Sequence, residues 1–186
     1  MSHIVTVAAV RQSLIDVFDE LDACFDLPSI QRAFRPASGG WTIDEILEHV
    51  GLTNHYLMIT WRKAVETALR RAAEGEPVQA GESDLDRLRA IGERGAFPWK
   101  HPAHMEPHGS TSPTGVREQL RSQAGECLAL LGRIPDGEGA SFRLHMSVNG
   151  LGRIDLYEWL YFLVQHARRH LQQVAARRAE CASSGE

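Results

Sequence analysis

Apolar side chains recur at three- and four-residue steps in four long stretches of the chain, and this spacing predicts four amphipathic helices. Gly and Pro clusters separate the stretches. The predicted helices run from about Val5 to Phe25, from Thr42 to about Ala73, from Pro113 or Thr114 to Gly132, and from Asp155 to about Arg178. A shorter helix is predicted within Asp84–Arg94. Four helices of roughly 20 to 30 residues form a bundle, so the predicted class is all-α.

The starts of the second and fourth helices carry local signals. Thr42 with Glu45, and Asp155 with Glu158, have the spacing of a capping box. The connection between the second and third helices covers residues 74–112, far more than an antiparallel hairpin needs. It predicts a long crossover that leaves these two helices parallel, in up-down-down-up order. Residues 1–186 are expected to form one domain, with a tail that frays from about residue 180.

Three histidines fall on apolar helix faces. His166 and His170 lie four residues apart, so both imidazoles can reach one ion. His49 lies on the inward face of the second helix and can supply a third nitrogen if the helices pack together. Chance, or a hydrogen-bonded pair, explains the spacing equally well, because a metal site needs at least three ligands. Three imidazoles suit zinc, nickel, iron or copper, and we expect zinc or nickel.

Five further residues are candidates for the surroundings of this site. Glu45, one turn before the first histidine, is expected to orient its imidazole. Tyr56, two turns after it, would either face a substrate or fill the core. Trp99 and His101 lie in a proline-rich loop that would either wall a pocket or simply connect helices. His145 precedes the fourth helix and is a candidate acid or base.

Composition narrows the class of protein. A length of 186 residues with 43% hydrophobic residues fits one globular domain, and a net charge of −4 gives no sign of a nucleic-acid partner. No apolar segment has the length of a membrane span. Three cysteines without a Cys-x-x-Cys spacing predict thiols in a reducing cytoplasm. Because symmetric pairs are the commonest assemblies of soluble proteins, we expect a homodimer.

Several segments resemble the DinB/YfiT-like superfamily. The stretch from Gly40 to Tyr56 carries His49 on the second helix, and Leu156–Val174 contains His-x-x-x-His. The segments Trp99–Pro107, Met146–Asp155 and Leu160–His170 are particularly similar to one DinB-like branch. The resemblance covers most of the chain.

The resemblance implies a four-helix bundle that binds a divalent metal through three histidines, which match His49, His166 and His170. Members include bacillithiol-dependent transferases, mycothiol-dependent isomerases and metal-dependent hydrolases. We therefore expect a metal-dependent enzyme that acts on a small molecule, as a transferase using a low-molecular-weight thiol or as a hydrolase. The alternative is a non-catalytic metal-binding or stress-related dimeric helical protein.

Overall fold

The computed structural model describes residues 3–37, 39–76, 83–93, 95–97 and 102–184. Within them the α-helices are α1 His3–Ala23, α2 Ser29–Arg32, α3 Ile43–Ala73, α4 Arg89–Gly92, α5 Pro113–Leu131 and α6 Leu156–Ser183. The strands are β1 Arg143–Met146 and β2 Gly152–Asp155. Short 3-10 turns occupy Cys24–Asp26, Asp86–Leu88, Ala103–Met105, Glu138–Ser141 and Val148–Gly150.

Both predicted capping boxes are present. The Thr42 hydroxyl accepts a hydrogen bond from the Glu45 N–H at 3.2 Å, and the Glu45 carboxylate accepts one from the Thr42 N–H at 2.8 Å. At the start of α6, Asp155 and Glu158 exchange the same pair of contacts. These bonds satisfy backbone donors that a helix N-terminus leaves open, which is why α3 and α6 begin within a residue of the predicted positions.

The last helix runs to Ser183, beyond the predicted end near Arg178. Arg177 pairs with Glu180 at 2.5 Å, and the Ser183 hydroxyl donates to the Ala179 carbonyl at 3.0 Å. These local contacts stabilise one more turn, so the prediction placed this helix end too early.

The order of contacts between α3 and α5 shows that the two helices are parallel. Near their N-terminal ends, the Gln119 amide donates to the Gly51 carbonyl at 3.2 Å. Farther along both helices, Arg133, just after α5, pairs with Glu66. Because residue numbers increase in the same direction along both helices from one contact to the next, the helices are parallel.

The contacts of α6 with α3 run in the opposite order. The Trp61 indole donates to the Leu156 carbonyl at 2.9 Å, while Arg177 donates to the Trp41 carbonyl at 3.0 Å. At the end of α1, Asp22 pairs with Arg117 at the start of α5, so these helices are also antiparallel. Both α5 and α6 pack against α1 and α3. The predicted helical class is confirmed, and these contacts place the four long helices in up-down-down-up order.

A hairpin that was not predicted precedes α6. β1 pairs antiparallel with β2, from Arg143 opposite Asp155 to Met146 opposite Gly152. Asn149 in the connecting turn has a φ of 48°, a left-handed conformation that asparagine tolerates. The hairpin leads directly into the N-cap of α6 and so fixes where that helix begins. None of the described helices is both long and apolar enough to cross a membrane.

Candidate metal centre

The three predicted histidines meet inside the bundle. His49 comes from α3, and His166 and His170 come from successive turns of α6. Each is at most 5% exposed. One ring nitrogen from each histidine lies within 4.8 Å of those from the other two. Antiparallel packing of α3 against α6 therefore brings residues 49, 166 and 170 to one level.

The ring nitrogens are arranged as metal ligands would be. The Nε2 atoms of His166 and His170 are 3.1 Å apart. Two nitrogens bound to one zinc ion at about 2.0–2.1 Å in a tetrahedral arrangement lie about 3.3 Å apart. The His49 ring centroid lies 5.3 Å from that of His166 and 4.7 Å from that of His170. The spacing is close to what a shared ion requires.

Two of the imidazole rings are oriented by oxygen atoms that accept hydrogen bonds from Nδ1, the ring nitrogen that faces away from the proposed metal position. His49 Nδ1 lies 2.7 Å from the Met105 carbonyl, and His170 Nδ1 lies 2.9 Å from the Gln173 amide oxygen. A carbonyl oxygen only accepts, so each Nδ1 carries the proton and each Nε2 keeps its lone pair. Such acceptors fix the tautomer and raise the basicity of a ligating imidazole.

Burial also keeps the third imidazole neutral. It lowers the pKa of His166 well below its usual range, and the nearby His170 and His49 lower it further. A neutral imidazole is the form that coordinates a metal. The donor set, the nitrogen spacing and the oriented rings all fit a divalent ion.

A cavity of about 560 Å³ opens beside the three imidazoles. This volume is within the range of small-molecule sites. Most of the wall is apolar. The described lining residues are Trp41, His49, Thr53, Leu57, Phe97, Pro102, Met105, Met146, Ser147, Val148, Phe162, His166, Arg169, His170 and Gln173.

Glu45 is not the group that orients His49. Its carboxylate accepts from the Thr42 N–H at 2.8 Å and from Arg35 at 2.5 Å, while His49 Nδ1 faces the Met105 carbonyl. Together these contacts lower the pKa of Glu45, against the opposing effect of its partial burial. The capping and ion-pair contacts hold the carboxylate at the helix start, so the predicted orienting role was wrong.

The remaining candidates lie away from the cavity or outside the described residues. Tyr56 is 37% exposed, and its ring packs 4.3 Å from that of His104, so it neither fills the core nor lines the cavity. His145 is exposed on β1, where the alternation of the strand turns its neighbour Met146 to the cavity instead. Trp99 and His101 lie outside the described residues.

Sequence reasoning missed three groups around the centre. Gln173 follows His170 by three residues on the same helix, and that spacing was a usable signal. Arg169, between the two ligand candidates on α6, lines the cavity. The Met105 contact uses a backbone carbonyl, which every residue has, so no residue pattern could have indicated it.

Fold and site together define a mostly helical protein with a buried three-histidine centre that opens on a cavity. The family model of the DinB superfamily matches residues 6–174, and the chain belongs to that superfamily. The expected family is thereby confirmed. No curated protein and no solved structure matches the chain.

Proposed function

We propose that the protein is a metal-dependent enzyme that acts on a small molecule, with His49, His166 and His170 as the metal ligands. The supporting observation is that three imidazoles on one level border an apolar cavity of about 560 Å³. Three protein ligands leave a coordination position for a reactant, as catalytic sites require. Zinc or nickel is our expected ion, with iron or copper as alternatives.

Within this class we favour thiol-dependent transfer over hydrolysis. A bound divalent ion would lower the pKa of a coordinated thiol or water and so supply a nucleophile at neutral pH. The described cavity wall contains no aspartate or glutamate. Hydrolysis gains from a carboxylate that takes a proton from the bound water. A thiol is a much stronger acid than water, so it loses its proton to solvent more readily and depends less on such a base.

The chain's own residues have defined tasks in this transfer. The Met105 carbonyl and the Gln173 amide hold the rings of His49 and His170. The apolar wall excludes water from the reacting atoms. The thiol would first release its proton to solvent. Its sulfur would then form a bond to a carbon of the substrate as the bond from that carbon to the leaving group breaks, and the leaving group would depart as an anion. The low-molecular-weight thiol is a second substrate.

Metal analysis tests the ligand set. Protein purified without added metal or a nickel column is expected to contain about one divalent ion per chain. His170→Ala is expected to lose most of it, while His145→Ala, an exposed histidine on β1, retains it. At a free metal concentration of about 100 times Kd, binding contributes about 2.7 kcal/mol of stability. Chelation should then lower Tm by roughly 5–10 °C, and metal-free protein with an unchanged Tm would contradict the site.

Activity assays separate the reactions. The metal-loaded protein is given 1-chloro-2,4-dinitrobenzene with a panel of thiols, and separately p-nitrophenyl acetate. Thioether formation that depends on His170 supports the transferase, while His170-dependent ester cleavage alone supports the hydrolase. Metal binding with neither reaction, and with no exchangeable ligand on the ion, would favour the non-catalytic alternative.

The assembly and compartment are also part of the proposal. Ile4 and Val5 on α1 are 71% and 50% exposed, and such side chains suit contact with a second copy in a homodimer. Cys24, Cys127 and Cys181 are thiols, as expected for a protein that works in the reducing cytoplasm.

A further inference from the structure

Arg169 is a cationic side chain in the wall of the cavity. It lies on α6 between His166 and His170. Among the described residues of the wall it is the single lysine or arginine. A guanidinium stays protonated at every pH at which the protein folds, so the positive charge is permanent.

The guanidinium is held in a defined position. Its Nη1 donates to the Glu93 carbonyl, just after α4, at 2.6 Å. Its Cζ lies 5.9 Å from the centroid of the Phe97 ring. A carbonyl dipole and an aromatic ring therefore help to orient the cation. Because the side chain is already ordered, ligand binding carries a smaller cost in side-chain conformational entropy.

The rest of the cavity wall indicates the chemistry of the remaining part of the ligand. Leu57, Met146 and Phe162 are among several apolar side chains that face the cavity. The described wall has no carboxylate that would repel an anion. A ligand that matches both parts carries one negative group and a hydrocarbon body. A phosphate dianion fits less well, because burying two charges among apolar groups costs more than burying one.

We propose that Arg169 binds the carboxylate of the electrophilic substrate, so that the enzyme selects small apolar organic acids. This inference rests on the proposed function, since it assigns a substrate class to the same cavity. Arg169 acts as a specificity-determining residue. Its fork of N–H donors pairs with two carboxylate oxygens, and the apolar wall takes up the hydrocarbon part.

Paired probes test the proposal by calorimetry. 4-Phenylbutyrate and 4-phenylbutanol share a hydrocarbon body and differ in charge. We expect wild-type protein to bind the acid at least about ten-fold more tightly than the alcohol, a difference of about 1.4 kcal/mol. Arg169→Gln should remove this preference and leave alcohol binding unchanged. Arg168→Gln alters the neighbouring arginine, which is not part of the wall, and should retain the preference.

Two further arms exclude other causes. Arg169→Lys keeps the charge and should restore part of the preference, which a purely structural role would not produce. Carboxylates also bind metal ions directly, so each titration is repeated on chelated protein, where the effect of Arg169 should persist. Equal losses for acid and alcohol in Arg169→Gln, or no loss for the acid, would overturn the inference even if metal is bound. Acid preference in a protein that binds no metal would instead refute only the proposed function.

Discussion

Asp155 carries a buried charge at the start of the helix that supplies two of the three histidines. It is 0% exposed and accepts hydrogen bonds from the Tyr157 and Glu158 N–H groups at 2.9 Å each, and from the Ser83 hydroxyl at 2.7 Å. Burial, and next the neighbouring Glu158 carboxylate, raise the pKa of Asp155 from 3.8 to about 6. Replacement by Asn removes the charge and keeps an acceptor for the helix N-terminus.

The raised pKa sets the sign of the pH dependence. The folded protein binds the Asp155 proton more tightly than the unfolded chain, so this group stabilises the fold fully below about pH 4. The contribution is lost as the pH rises through about 6. A rise of about two pKa units corresponds to about 3 kcal/mol. Part of this amount is already lost at pH 4, so the free energy of unfolding of wild type minus that of Asp155→Asn should fall by about 2 kcal/mol between pH 4 and 7.

Urea denaturation at pH 4, 5, 6 and 7 measures this difference, and titrating groups that do not interact with Asp155 cancel in the subtraction. Asp136→Asn, at an exposed position, is the matched control and should differ from wild type by a constant amount. Asp155→Ala should lose about 1 kcal/mol more than Asp155→Asn at every pH, because it also removes the cap. A difference between wild type and Asp155→Asn that stays flat, or grows with pH, would refute the reasoning.

Two glycines give opposite predictions for the same substitution. A Cβ at Gly139 would lie 2.7 Å from Cζ of Tyr157. The Tyr157 ring cannot easily move away, because its hydroxyl donates to the Ile134 carbonyl at 2.6 Å. Gly139→Ala should therefore lower the free energy of unfolding by about 1–3 kcal/mol. Gly125 lies within α5 with open space around a Cβ, so Gly125→Ala should raise the free energy of unfolding by about 0.5–1 kcal/mol. Denaturant titrations check both, and a loss of stability in Gly125→Ala would contradict the helical reasoning.

Local signals explain what the sequence predicted well. Helix α3 begins at the Thr42 capping box and ends just before Gly75, which has a positive φ. Both signals lie within one turn of the helix ends, so the limits of α3 can be predicted from residues that are neighbours in the sequence. The spacing of His166 and His170 is also local. Their proximity to His49 depends instead on how the helices pack. The length of the connection 74–112 predicted that α3 and α5 are parallel, and the structure brings the three histidines together.

Features that depend on distant partners were missed. Each strand of the hairpin 143–155 has only four residues, too few for an apolar alternation to stand out. The orienting role assigned to Glu45 failed because Arg35, ten residues earlier, competes for the same carboxylate. Sequence spacing identifies groups that are able to meet, but it does not decide which of several partners a side chain takes.

The contact between His49 and the Met105 carbonyl makes the ring and the segment before α5 parts of one equilibrium. The adjacent Glu48 holds the same segment through the Gly109 N–H at 2.9 Å. By thermodynamic reciprocity, whatever favours this placement of the segment tightens binding at the opposite ring nitrogen by an equal factor. In the proposed metal-loaded enzyme, a cavity ligand that favours this placement by packing against Met105 would therefore strengthen metal binding, and its release would weaken it. The ion would then exchange most readily while the cavity is empty.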